Sequence, residues 1–224
     1  QRRKQMGKQL PDTHDWKEIA GQLGLSTTVR GEELDLKKWI ELTRAYDTHP
    51  LKDKPQSDDE IFDVVDENDV PVGKATRAEV HSKNLMHRAV HVLVFNRNGD
   101  LWLQKRSLAK DKNPGVWDSS VSGHLDAGED YLTASVRELG EEIGVQKKAE
   151  DLEFGASVKP SETTGWEHIQ LFTTQHEGAV NFPAAEIDSM MPFPIGEIEA
   201  WSESQPEDFS SAFLELFRAW REKK

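Results

Sequence analysis

Between Gly123 and Val145 the chain runs through a glycine-containing turn, a stretch of helical period and a second glycine at 144. Glu138 and Glu142 stand four residues apart and Glu138 and Glu141 three, so on a helix their carboxylates converge on one side. Like charges at that spacing destabilise an ordinary helix by roughly a few tenths of a kcal/mol per pair. Three of them are therefore a poor choice for stability alone. A divalent cation reverses the sign of the interaction, and Mg²⁺, which takes oxygen ligands and keeps some of its waters, suits a small set of carboxylates plus phosphate oxygens. Arg137 is placed to tie down a carboxylate that does not ligate, Glu129, and Gly144 fits a helix C-cap.

The hydrophobic pattern around this segment predicts an α/β chain. Ile61 to Asp66 and Val70 to Gly73 alternate as strands about the turn Glu67-Asn68-Asp69. His91 to Phe95 and Leu101 to Gln104 flank Asn98-Gly99, a hairpin signal because both residues accept the positive φ of a tight primed turn. Helical period follows from Asp130 to Ile143, then strand-like Leu152 to Val158 and Ile169 to Thr174. The tail from Glu207 to Arg221 reads as an amphipathic helix with Phe209, Phe213, Leu216, Phe217 and Trp220 near one face, a core-packing pattern. Upstream, Asp15 to Ala20 and Glu33 to Leu42 read as two short helices with Thr13 and Gly31 as caps. Thr48 to Ser57, with two prolines among polar residues, reads as a linker. This predicts a helical extension over residues 1–56, packed on the domain or on a second copy of the chain, which leaves a homodimer open. The main domain spans 57–224.

Composition removes whole classes of chemistry. With no cysteine among 224 residues, disulfides, thiolate metal sites and cysteine nucleophiles are excluded. A formal charge of −13 argues against a nucleic-acid partner, yet carboxylates gathered around a cation still make a locally positive site for a small anion. No stretch approaches the roughly 20 apolar residues of a membrane span. The basic start Gln1-Arg2-Arg3-Lys4 has no apolar run behind it, so a cytoplasmic protein is expected.

Position by position, the acidic segment resembles the Nudix box: Gly123, five residues, Glu129, seven residues, Arg137-Glu138, Leu139, one residue, Glu141-Glu142, one residue, Gly144, Val145. The resemblance implies an α/β/α sandwich with a mixed sheet. It makes Glu138, Glu141 and Glu142 ligands of Mg²⁺, or of Mn²⁺ in its place, with the Gly123 carbonyl as an added ligand and Arg137 orienting a glutamate. The reaction implied is attack of water on phosphorus in a small diphosphate such as a nucleoside di- or triphosphate. Glu141 is the first choice of general base.

A further likeness, from about Asp63 to Phe172, is to the branch that contains type I isopentenyl-diphosphate isomerase. It rests on His87-Arg88-Ala89-Val90-His91, on Leu103 to Lys110 and on Pro114 to His124. It implies that Arg106 and Lys110 hold the diphosphate, that Glu167 is a catalytic glutamate, and that His81, His87 and His124 stand at or near metal-binding positions. Taken singly, His81 and His87 read as structural histidines, whereas His124, in the loop before the acidic helix, is placed to touch substrate. Trp117 reads as a packing residue, with stacking on a base the other use open to it. The isomerase needs a cysteine where this chain has Ser122, a far weaker acid, and a second glutamate where it has Gly165. Its box is also degraded, and this one is complete. Hydrolysis is therefore expected, with isomerisation and a non-catalytic nucleotide-sensing module as rivals.

Overall fold

The computed structural model describes residue 5 and residues 15–46, 57–108, 110 and 112–223. Two helices, α1 (Trp16–Gln22) and α2 (Leu36–Tyr46), come first. They pack on each other around Ile19 and Leu42. Asp15 caps α1 by accepting from the Lys17 amide, and Gly31 opens a short 3₁₀ turn ahead of α2. Thr13 and nearly all of the predicted linker lie outside the described residues.

The strands β1 (Ile61–Val65) and β2 (Pro71–Thr76) form an antiparallel pair, and α3 (Arg77–Ser82) follows directly. A reciprocal cap between Thr76 and Glu79 starts α3. The main sheet is built on β3 (His87–Phe95), with β4 (Leu101–Arg106), β5 (Trp117–Asp118), β6 (Val121–His124), β7 (Glu153–Val158), β8 (Glu167–Gln175) and β9 (Ile187–Phe193). Among the described strands only β3 and β8 pair in parallel; β6 and β4 share the other edge of β3. Helix α4 (Tyr131–Ile143) lies between β6 and β7 in the chain, and α5 (Ile195–Ser204) and α6 (Ser211–Arg221) come last.

Strand alternation sends neighbouring residues of β3 to opposite faces. Ala89 and Leu93 join Leu103, Leu171, Ile198, Phe213 and Leu216 under α5 and α6. Val92 and Val94 join Val121, Leu139, Ile143 and Phe172 under α4. Helices therefore cover both faces of a mixed sheet, the α/β/α arrangement expected. The predicted aromatic stripe of the tail is buried along α6, and Trp117 is part of that core, edge-on to Phe193 and Trp201. Ser210, the α6 N-cap, accepts from the Phe213 amide at 3.2 Å. Ser210→Ala should cost about 1 kcal/mol in denaturant unfolding, and an unchanged midpoint would show that this bond contributes nothing.

Three expectations are corrected. In the β3–β4 hairpin only Gly99 of the Asn98-Gly99 pair has positive φ, at 82°. Asn96 closes a five-residue loop by accepting from the amides of Asn98 and Asp100 through its side chain, so a two-residue primed turn is not formed. Between Asn181 and Pro194, where no strand is predicted, the chain forms β9, whose Pro192 is tolerated because β9 is an edge strand. The tail helix begins at Ser211, after a 3₁₀ turn over Pro206–Asp208. No described helix is long and apolar enough to cross a membrane.

Candidate active site

Helix α4 starts where Asp130 accepts from the Leu132 and Thr133 amides and ends at Gly144, with φ 70°. Its period buries Ala134, Leu139 and Ile143 against the sheet and carries Glu138 to the edge of that face, where it is 9% exposed. Arg137 gathers the acidic groups. It donates from Nε and Nη2 to the two oxygens of Glu129 at 3.0 and 2.8 Å, and from Nη1 to Glu138 at 2.8 Å and Glu141 at 3.2 Å. Nη2 also donates to the His124 carbonyl at 2.9 Å, which ties the helix to the end of β6. The Arg137–Glu129 pairing expected from the sequence is thus in place.

Strand β6 crosses over these carboxylates with its glycine. A methyl group on Gly123 would overlap the Glu138 carboxylate, so glycine is needed for the strand to approach. One residue earlier the Ser122 amide donates to Glu142 at 3.1 Å. Burial pushes the Glu138 carboxyl up to about 7, against the opposing pull of Arg137. Burial, reinforced by Glu138, pushes Glu142 up to about 8. Glu141, whose side chain is 45% exposed, is the outermost of the three. This set fits a divalent cation, which would balance carboxylates that otherwise hold protons near neutrality.

The two raised values lie above the ordinary glutamate value of 4.5. Protonation therefore favours the folded state: the contribution is complete below about pH 4 and is lost as pH rises through about 7 to 8. Metal-free protein should lose thermal stability between pH 6 and 8.5. A cation must displace these protons, so Mg²⁺ should raise the melting temperature more at pH 8.5 than at pH 6. Equal increments at the two pH values would show that the ion is held elsewhere.

A second group forms on β3. Its parallel register sets His87 beside Glu167 of β8, and its other edge pairs Ala89 with His124 of β6. Helix α3 adds His81. The three histidines each offer a ring nitrogen within 4.8 Å of the others. His124 accepts from Arg77 at Nδ1 (3.2 Å) and donates from Nε2 to Glu167 (3.1 Å). His87 donates from Nδ1 to the Leu85 carbonyl at 2.9 Å, so the lone pair of its Nε2 faces the Glu167 carboxylate 3.5 Å away. The Nε2 atoms of His87 and His81 are buried with no hydrogen-bond partner. A lone pair against a carboxylate is repulsive unless a cation or a proton lies between; both nitrogens of His124 are engaged and Lys112 donates to His81 Nδ1 at 3.2 Å, so a metal ion here would have to displace some of these contacts. Burial would raise Glu167, but the hydrogen bond from His124 outweighs it and holds the carboxyl well below the usual range. Burial pulls His124 down to about 4 and His81 to about 3. The fold does not leave His81 and His87 apart: it brings both to His124.

Gly123, His124, Glu142, Arg106, Lys110 and Glu167 line one cleft of about 1080 Å³, and His81 is also in its wall. Glu138, Glu141 and Arg137 do not line it; Glu138 stands against Gly123 on the α4 side, and Arg137 bonds both glutamates. Arg106 contacts Asp118 at 3.4 Å and the Lys112 carbonyl, and Lys110 pairs with Glu186. Sequence reasoning gave no role to Arg77, which orients His124, or to the polar residues of the cleft floor; the Thr76–Glu79 cap was the one signal for α3.

The NUDIX domain family model matches residues 85–223, more than half of the chain. The chain belongs to the Nudix family. Among curated Nudix-family relatives, isopentenyl-diphosphate Delta-isomerase 2 of Photorhabdus laumondii is 44% identical over 86 residues, covering 38% of this chain and 49% of that protein. An uncharacterized Nudix hydrolase of Clostridium acetobutylicum is 30% identical over 160 residues, 63% of this chain and 77% of that one. The chain spans about half the length of the first of these relatives. Among solved structures, DR0079 of Deinococcus radiodurans aligns with a TM-score of 0.64 at 27% identity, over 72% of this chain and 99% of that one. These likenesses set the chain in the isomerase-like branch of the Nudix family and bear out the sandwich fold.

Proposed function

We propose that the protein is a Mg²⁺-dependent hydrolase of phosphoanhydrides, acting on a nucleoside di- or triphosphate or a related diphosphate. The observation that carries this reading is the pair of α4 carboxylates, Glu138 packed against Gly123 and Glu142 bonded to the Ser122 amide, both buried so that a cation would balance them. When bound, Mg²⁺ supplies charge neutralisation for the diphosphate and lowers the pKa of the attacking water; Mn²⁺ can replace it. Glu142, the acidic helix residue in the cleft wall, would hold the ion on the substrate side, together with Glu138 and Glu141 of the same helix. Arg137 holds Glu129 and Glu138 in fixed rotamers, which positions the helix carboxylates ahead of binding. Glu141, the acceptor of the water proton expected from the sequence, does not line the cleft; Glu142 is the helix carboxylate that faces it. Arg106 and Lys110 hold the phosphates, Arg by its planar fork and Lys as a point charge. Glu167 and His124 lie across the same cleft and contact the substrate.

One observation favours a second reading. The histidine cluster with Glu167 is assembled as isopentenyl-diphosphate isomerisation would use it, but Ser122 lacks the acidity for proton transfer to and from an alkene. A panel of nucleoside diphosphates, nucleoside triphosphates, sugar nucleotides, dinucleoside polyphosphates and isopentenyl diphosphate, incubated with Mg²⁺ and resolved by chromatography, proton NMR and mass, tests the choice. Release of phosphate or a nucleoside monophosphate is expected. Conversion of isopentenyl diphosphate to its isomer, with no hydrolysis of any compound, would sink it.

A further inference from the structure

The floor of the cleft is polar where a sheet facing a core is usually apolar. His91, Gln104 and Asp118 line it and Ser119 stands beside them; these four are 4%, 2%, 4% and 0% exposed. Register explains their meeting. Gln104 of β4 is the cross-strand partner of Asp118 of β5, which sets both side chains on one face. His91 of β3 is likewise paired with Ser122 of β6. Most of the set is satisfied internally: His91 Nδ1 lies 2.8 Å from Ser119 Oγ, the Ser119 amide donates to Asp118 Oδ1 at 2.8 Å, and Arg106 Nη1 approaches Asp118 Oδ2 at 3.4 Å. Gln104 is the exception. Its carboxamide Nε2 is buried with no hydrogen-bond partner, in the wall of an open cleft.

An amide N–H in that position is costly until an acceptor arrives, and a core strand gains nothing from keeping it when leucine fills a similar volume. Asp118 sits across from it as an acceptor and also touches Arg106, so the pair adjoins the residue assigned to the phosphates. We infer that Gln104 and Asp118 read the group attached to the diphosphate, and that this group carries hydrogen-bond acceptors and donors, as a nucleobase edge or sugar hydroxyls do. A hydrocarbon tail would leave the Gln104 amide unpaired. The inference rests on the hydrolase reading for the anchoring of the diphosphate and adds to it what lies beyond.

The test compares the four nucleoside 5′-diphosphates, ribose 5-diphosphate and isopentenyl diphosphate, all with Mg²⁺, on the full chain and on Gln104→Leu and Asp118→Asn. Values of kcat/KM are measured together with binding by calorimetry. The polar diphosphates should exceed isopentenyl diphosphate by about 100-fold or more, and each substitution should shrink that ratio by about tenfold through the polar compounds. Parity of ribose 5-diphosphate with the nucleoside diphosphates assigns the pair to the sugar, and a preference for one base assigns it to the base; both support the inference. Equal or better use of isopentenyl diphosphate, or a ratio unmoved by either substitution, overturns it. Asp118→Asn keeps the shape of the site and answers if Gln104→Leu does not fold. Should no compound be hydrolysed, the hydrolase reading fails, and the same ratio taken from Mg²⁺-dependent binding decides the inference separately.

Discussion

Replacing Glu142 by glutamine is expected to lower Mg²⁺-dependent turnover by about 10³-fold or more, a loss of about 4 kcal/mol of transition-state stabilisation. The fold should survive. Near neutrality the metal-free carboxyl of Glu142 is held as the acid by burial, and glutamine is close in shape to that acid. Its amide still offers an oxygen to the Ser122 N–H. Denaturant unfolding at pH 7 without metal should therefore change by no more than about 1 kcal/mol, while the Mg²⁺-dependent rise in melting temperature shrinks. Loss of activity with retained stability separates a metal ligand from a packing residue. Near-normal turnover in this variant would mean that catalysis does not pass through the α4 carboxylates.

Arg137→Met should have the largest effect on the fold itself. Methionine replaces the aliphatic stem but leaves Glu129 and Glu138, whose side chains are each 11% exposed, without their cation. Removing one partner of a buried ion pair typically costs about 3–5 kcal/mol, and the 25% exposure of the Arg137 side chain puts this case at the lower end, about 3 kcal/mol. Activity should fall with it, because the helix loses its bond to the His124 carbonyl as well. Arg137→Lys should recover little, since one ammonium group cannot reproduce the fork that binds both Glu129 oxygens. Chemical unfolding of the two variants checks the order, and a loss below about 1 kcal/mol for Arg137→Met would show that the network is a surface feature.

What was legible in the sequence was local. The spacing of Glu138, Glu141 and Glu142, the Arg137 beside them and the Gly144 stop all lie within a few turns of one helix, where geometry follows from the helical period. The histidine cluster was not legible in the same way. His81 is on a six-residue helix and His87 at the start of a strand, and their approach to His124 and Glu167 depends on which strands flank β3. That is tertiary information, carried here only by family resemblance. β9 was hidden by Pro192, which argues against a central strand and is silent about an edge. The separation of Glu142, in the cleft wall, from Glu138 and Glu141 was also out of reach, because it depends on where β6 crosses α4. Gln104 and Asp118 each read as one polar residue at a strand end, and only the β4–β5 register shows them as a pair.

The central claim is that water attacks phosphorus in this cleft. Turnover in water enriched in oxygen-18, with the best substrate of the panel and Mg²⁺, tests it most directly. One labelled oxygen should appear in a single phosphorus-containing product for each bond cleaved, and chelation of the metal should abolish the incorporation. Metal-dependent conversion of substrate with no label in any product would contradict the account.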